Sequence, residues 1–342
     1  MRALVLTKPG KTPKLAVTDL PIPVLGLNDV LVQVRACGLC YHDILAMDGS
    51  LRRGIKDQVV LGHEIVGTVV EIGTEVTLIR NGDTVVSTLT NSCGHCHRCL
   101  SEKAHRCIDG QGIGHTIDGG MAEYVKIREY SLVKLPNMRS SLPFCLLGCP
   151  IGVSINALTK IAKINAGETV VITGAGGGLG SHLVQMAKLL NATVLAVTSS
   201  KEKVEKIRRL GAHDVIETDG IAFSEMVMAL TGDRGADVVI DTVGSPIFPT
   251  TIECLGIGGR MVSLGEVLGQ TVNFNLTDLI FRDATIVGSS GVPHEAIVKA
   301  YDLVSADKLK PVISTVVRLH EVVDAYKMMR ERKHFGRIVI EP

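Results

Sequence analysis

Tryptophan is missing and aromatic residues make up only 3% of the chain, which removes the stacking platforms on which single-stranded nucleic acid is usually held. Charge of one sign is missing too. Thirty-six Lys and Arg residues face 35 Asp and Glu residues, a net charge of +1, so no electrostatic footprint for DNA, RNA or an anionic membrane surface is present. No stretch approaches the ~18 uninterrupted apolar residues of a membrane span. The opening MRALVLTKPGKTPKL has too short an apolar run for a signal peptide. These absences lead us to expect a cytoplasmic protein without nucleic-acid or membrane partners. In a reducing compartment its nine cysteines argue for metal binding or catalysis before disulfides. At 342 residues the chain exceeds one comfortable core, and two domains are expected.

What is present centres on residues 36–67, ACGLCYHDILAMDGSLRRGIKDQVVLGHEIVG. Cys40 and His63 supply the thiolate and imidazole that zinc prefers, and a catalytic zinc takes three protein ligands with one position left open. A third thiolate, Cys149 in Gly148-Cys149-Pro150, would complete a Cys₂His set. Asp43 and Glu64 are placed to accept hydrogen bonds from ligands or to tune the metal. On this stretch alone a CxxC redox pair of Cys37 and Cys40, or two small core residues, is the better reading, and the rest of the chain decides.

Short β-rich runs over 3–7, 30–35, 65–72 and 84–88 are separated by Pro and Gly, which predicts an irregular β-domain. Cys93, Cys96, Cys99 and Cys107 follow as CxxCxxCx₇C. Four thiolates within so short a segment predict a closed structural zinc cage without an open position; an iron-sulfur reading fits poorly, because no proline follows the last cysteine. His95, His97 and His105 are then expected to face solvent. His115, Asp118 and Glu123 sit in a glycine-rich loop and receive no role. A linker over 136–143 leads to Cys145, Cys149 and a helix over 153–164.

From Glu168 the pattern changes to a buried strand, the turn Gly174-Ala-Gly-Gly-Gly-Leu-Gly180, and a helix. Strand, glycine turn and helix in that order predict a dinucleotide site, with pyrophosphate on the helix N-terminus. The motif reads AxGxxG from Ala175, with Gly177 and Gly180 as fixed points and Gly178 and Leu179 between them. Strands over 193–197, 236–241 and 260–264 alternate with helices beginning near Lys201, Ala222 and Ile247, the first stopped by Gly211. This alternation predicts a parallel, doubly wound sheet. At the end of the second strand, where an NAD site needs an acid, the chain has Thr198-Ser199-Ser200-Lys201, with Lys203 close by. Hydroxyls and lysines accept a 2′-phosphate, which favours NADP(H) over NAD(H); the same residues would also cap the next helix. From about Val292, helices over 295–305 and 321–330 and a strand over 336–340 are expected to complete the β-domain.

With GLCYHD, GHEIVG, CxxCxxCx₇C, GCP and GAGGGLG all present, the whole chain resembles the zinc-containing alcohol dehydrogenase branch of the medium-chain dehydrogenase/reductase superfamily. The resemblance implies an α/β plus β fold: a GroES-like irregular β catalytic domain (1–148 and 292–342) and a Rossmann doubly wound domain (149–291). It implies two zinc ions per chain. One is the catalytic ion on Cys40, His63 and Cys149, with Glu64 as an adjacent or alternative ligand; the other is the structural ion on Cys93, Cys96, Cys99 and Cys107. A homodimer or homotetramer acting on a small alcohol or carbonyl compound follows by the same route. His42 stands where the family commonly has serine or threonine to pass the alcohol proton, so it relays protons itself or bonds the cofactor ribose. Tyr41 replaces a histidine or arginine often found beside the phosphates. A second reading is an NADPH-dependent 2-enoyl-thioester reductase of the acryloyl-CoA type; a third is a nucleotide-binding protein without catalysis. Cys37, Cys145 and Cys254 are left as core residues.

Overall fold

A computed structural model describes residues 1–51, 54–136, 142–218 and 222–342; the greater part of the expected linker over 136–143 lies outside them. The chain divides into two compact units. The first comprises Met1–Val153, Gly291–Ser305 and Ile313–Pro342, and the second Ser154–Ser290 and Ala306–Val312.

The first unit is built on β-sheet. Its centre is the ten-residue strand Asp29–Gly38, whose Val30, Val32, Val34 and Ala36 are all buried. Along one edge it pairs antiparallel with Glu64–Ile72; along the other it takes Tyr124–Arg128 at its start and the C-terminal strand Arg337–Glu341 at its end. Thr84–Ser87 and Leu132–Lys134 extend the sheet on one side, and Ile313–Arg318 on the other. A smaller sheet joins Lys14–Asp19, Arg2–Thr7 and Gln58–Val60. The run Ala3-Leu4-Val5-Leu6 is buried without a break, so this strand is covered on both faces. The helix Tyr41–Met47 and the strands Lys14–Asp19, Gln58–Val60 and Ile313–Arg318 go beyond the elements expected from sequence. Each is short or carries an exposed face that blurs its period.

The second unit holds a six-stranded sheet in which every pairing is parallel. Its order is Asp214–Glu217, Thr193–Thr198, Thr169–Ile172, Ala236–Asp241, Leu255–Ser263 and Thr285–Gly288. The inner strands read as near-continuous buried Val, Ile and Ala because helices cover both faces of such a sheet. The expected helices form as Val204–Leu210 after a single tight turn over Lys201–Lys203, Ser224–Leu230 and Phe248–Glu253. Gly211 caps the first of them in the left-handed region at φ +113°.

Two segments depart from the boundaries at 148 and 292. Cys149 through Val153 belong to the first unit. Cys149 has extended dihedrals (φ −119°, ψ 125°) that break the helical run Pro143–Ile161, so its continuity with the next helix in sequence is misleading. Ala306–Val312 belongs to the second unit, because Gln185 and His182 bind its backbone. The run Pro143–Ile161 is long and apolar enough to cross a membrane, yet 78% of it is buried inside the folded chain, which accounts for its composition.

Candidate functional site

In the first unit the donor atoms of Cys40, His63, Glu64 and Cys149 all lie within 4.8 Å of one another. Local structure explains how they meet. Cys40 stands two residues past the end of the central strand and is the N-cap of the helix Tyr41–Met47; His63 immediately precedes the neighbouring strand, which Glu64 opens; Cys149 comes from the break in the helical run. Gly38 pairs with Glu64 across the sheet. A Cβ at Gly38 would stand 2.0 Å from Glu64 Oε2, so glycine there makes room for the carboxylate.

Asp43, on the first turn of the helix, fixes two of these groups. Its Oδ2 accepts the Cys40 backbone N–H at 2.9 Å, and its Oδ1 lies 3.4 Å from His63 Nδ1. With Nδ1 so occupied, His63 presents Nε2 to the cluster. Burial opposes the His63 imidazolium, but the Asp43 carboxylate and the Cys40 sulfur outweigh it and hold its pKa well above the ordinary value. The Cys149 thiol donates to the Cys40 sulfur, which lowers Cys40 and raises Cys149.

Glu64 is 1% exposed. Burial raises its pKa to about 8, although Arg337 pulls the other way. Arg337 Nη2 faces Glu64 Oε1 at 2.9 Å and Cys149 Sγ at 3.8 Å. The approach to Glu64 lacks hydrogen-bond angles, and neither carboxylate oxygen accepts a hydrogen bond from a described residue. A buried carboxylate beside two thiols and a directed imidazole is an electron-rich pocket fitted to a cation, and the donor set suits zinc.

Arg337 escaped sequence reasoning, as it opens an apolar strand far along the chain from its partners. His115 did too. Its ring packs edge-on against His42 at 5.2 Å between centroids, and His42 packs against His63 at 5.4 Å. A third histidine in a glycine-rich loop was the available signal. Tyr326 is a further buried group, donating to Met121 Sδ at 3.4 Å, with its phenol pushed up by burial and by Asp43.

The second cluster is Cys93, Cys96, Cys99 and Cys107. Its sulfurs stand 3.5 Å (96 to 99), 3.5 Å (93 to 107), 3.9 Å (96 to 107) and 4.0 Å (93 to 99) apart. Four thiolates about 2.3 Å from a tetrahedral zinc are spaced by about 3.8 Å, so the cage fits the ion. Backbone N–H groups of Cys93 and Cys96 donate to Cys107 and Cys93 sulfurs, and the Tyr130 hydroxyl donates to the Cys99 carbonyl. His95 and His97 are exposed, whereas His105 is partly buried against Gly291. Cys37, Cys145 and Cys254 are buried.

In the second unit the turn Gly174 to Gly180 joins the strand Thr169–Ile172 to the helix Gly180–Leu189, with Leu179 as its N-cap. Ala175 N–H donates to the Val197 carbonyl and Gly177 N–H to that of Gly174. Thr198 ends the adjacent strand, and its Oγ1 accepts the Ser200 N–H at 3.3 Å. Ser199 and Lys201 are exposed. The stem of Lys203 lies against the turn, close enough that a Cβ on Gly176 would sit 2.6 Å from its Cδ. Turn, strand end and Lys203 are thus brought together, with Gly177 and Gly178 in the span between them.

Residues 26–137 match the alcohol dehydrogenase GroES-like domain, and residues 178–306 match the zinc-binding dehydrogenase family. Along the whole of both chains, the protein is 35% identical to an acryloyl-coenzyme A reductase of Sulfurisphaera tokodaii and 30% identical to an NAD-dependent alcohol dehydrogenase of the same organism. It superposes on the crystal structure of an NAD-dependent alcohol dehydrogenase with a TM-score of 0.91 at 29% identity, each chain covered in full. With a GroES-like β unit, an all-parallel dinucleotide unit and these full-length matches, the chain belongs to the zinc-containing alcohol dehydrogenase family of medium-chain oxidoreductases.

Proposed function

We propose that the protein interconverts an alcohol and its aldehyde or ketone with NADP(H), holding one catalytic and one structural zinc ion per chain. The observation that carries this reading is the convergence of Cys40, His63, Glu64 and Cys149 donor atoms in one buried pocket. A zinc ion held there would supply Lewis acidity to the substrate oxygen, and a bound nicotinamide would supply or take up the hydride. The chain's own residues do the rest. Cys40, His63 and Cys149 are the ligands, and Glu64 is the carboxylate able to take the remaining position. Asp43 keeps the His63 imidazole in the tautomer that ligates through Nε2. Arg337 offsets the buried negative charge of Glu64 and the two sulfurs. Burial pulls the His42 pKa below its ordinary value, so the ring is neutral at pH 7 and accepts the alcohol proton.

The NADP(H) preference rests on Thr198, Ser199, Ser200, Lys201 and Lys203, because no carboxylate ends the strand Thr193–Thr198 to repel a 2′-phosphate. No disulfide joins any of the nine cysteines, as suits the cytoplasm. A homodimer or homotetramer fits the open sheet edge at Thr285–Gly288 and the exposed Ile257 and Phe281 nearby in the chain, and sedimentation equilibrium counts the copies.

A second reading, reduction of a 2-enoyl thioester, is favoured by the higher identity to the acryloyl-coenzyme A reductase. In it, hydride from NADPH adds to the β-carbon, a proton adds to the α-carbon, and the thioester oxygen carries the developing negative charge in between. A cation held by the same four donors would serve that oxygen as well, so the metal ligands do not separate the two reactions. Substrate does. NADPH consumption with a panel of aldehydes and ketones, against acryloyl and crotonyl thioesters of coenzyme A, tests the primary reading; turnover confined to the thioesters would replace it with the second.

Cys40→Ser is expected to bring turnover to background, and Asp43→Asn to lower activity or metal affinity by about 10–100-fold while the fold is kept; full activity in Cys40→Ser would remove the metal from the reaction. Thr198→Asp is expected to shift the ratio of kcat/KM values towards NAD(H) by about tenfold or more, as a carboxylate repels the 2′-phosphate. An unchanged ratio would show that the ribose lies elsewhere. For alcohol oxidation, the rate should fall as pH drops through the depressed pKa of His42, where the ring gains its own proton. His42→Ala should lose that acid limb, and an unaltered profile would exclude His42 as the proton acceptor.

A further inference from the structure

His182 lies on the helix Gly180–Leu189, is wholly buried, and has no part in the chemistry above. Its Nδ1 stands 2.7 Å from the carbonyl oxygen of Gly178, inside the glycine turn, and its Nε2 accepts the Val312 N–H at 3.0 Å. A carbonyl only accepts and an amide N–H only donates, so the two partners assign the neutral ring with its proton on Nδ1. The usual main-chain donor for the Gly178 carbonyl would be the His182 N–H, but that group goes to the Leu179 carbonyl at 3.1 Å. Apart from a long contact of 3.5 Å from the Ser181 hydroxyl, the ring is what holds this carbonyl among the described residues. One turn further, Gln185 clasps Lys310 through both backbone groups, donating to its carbonyl and accepting its N–H, each at 2.9 Å. The two side chains therefore tie the helix to the segment Ala306–Val312, whose Val312 N–H holds the far side of the ring.

We propose that His182 is a positioning residue for the dinucleotide: by holding the Gly178 carbonyl towards the helix, it turns the Leu179 N–H to the open side of the turn to meet the pyrophosphate. The peptide is planar and trans, so fixing its carbonyl on one side fixes its N–H on the other. The Leu179 N–H donates to no described residue, which leaves it for a phosphate oxygen at the head of the helix. Val312 holds the opposite nitrogen of the ring, a bond that contributes to stability and not to the orientation of the Gly178 carbonyl. The inference rests on the dinucleotide reading of the turn. It does not depend on the choice between NADP(H) and NAD(H), since both carry the pyrophosphate.

The two bonds can be separated by substitution. An asparagine amide reaches the place of Nδ1 and keeps a donor for Gly178, whereas a glutamine amide reaches the place of Nε2 and keeps only the Val312 bond. Titration calorimetry of NADPH and of NADH with wild type, His182→Asn and His182→Gln, beside the thermal midpoint of each protein, reads the result. His182→Gln should weaken both dinucleotides by about tenfold, the scale of one lost orienting hydrogen bond. His182→Asn should stay within about threefold of wild type even where its midpoint falls as far. Equal losses in the two variants, losses that follow the thermal midpoint, or no loss in either would overturn the proposal while leaving the function standing. A wild-type protein that binds neither dinucleotide would overturn both.

Discussion

Desolvation of charge is the constraint on which the first unit depends. Asp43, His63, Glu64 and Arg337 are each at least 94% buried, with Cys40 and Cys149 among them. An unpaired charge in that position would cost several kcal/mol, so each group is tolerated only through its neighbours. Asp43 is matched by His63 and the Cys40 N–H, while Glu64 is faced by Arg337 and His63 and accepts no hydrogen bond from a described residue. The deficit at Glu64 and the two sulfurs is one that the divalent cation proposed for this pocket would make good. The helix Tyr41–Met47 with its N-cap, the start of the strand Glu64–Ile72, the C-terminal strand and the broken helical run each deliver one or two members of the cluster to one point.

The second unit meets a different demand, for a backbone turn held rigidly enough to receive phosphate. Its inner strands are buried on both faces, which fixes where the turn begins, and the helix after it fixes where it ends. Side chains then set the orientation of the peptide groups inside the turn. His182 does this from the helix, Gln185 ties that helix to Lys310, and the Lys203 stem lies against the turn at Gly176. Positioning within the turn thus comes from residues outside the glycine motif.

How much of this was legible in the sequence depended on distance along the chain. The CxxCxxCx₇C lobe was legible because its ligands are local and the spacing itself encodes the cage. The glycine turn was legible because strand, turn and helix follow one another directly. Cys40, His63 and Cys149 could be named as a Cys₂His set from their chemistry, but the extended break at Cys149 that brings its sulfur to the cluster was not visible, since a helical pattern beyond it suggested continuity. Arg337, Tyr326 and the Ala306–Val312 segment were illegible for one reason. Each acts through partners more than a hundred residues away, and nothing in local composition marks a buried arginine at the start of an apolar strand. His42 showed its chemistry in sequence, but its two histidine neighbours needed coordinates.

The central claim is that Cys40, His63, Glu64 and Cys149 form a second metal centre independent of the cysteine lobe. Elemental analysis of zinc in the purified, extensively dialysed protein, wild type beside Cys40→Ser, tests it most directly. Two ions per wild-type chain and one in the variant are predicted, because the four-thiolate cage keeps its own ion. One ion per wild-type chain, with the same content in Cys40→Ser, would mean that only the cage binds metal and would contradict the claim.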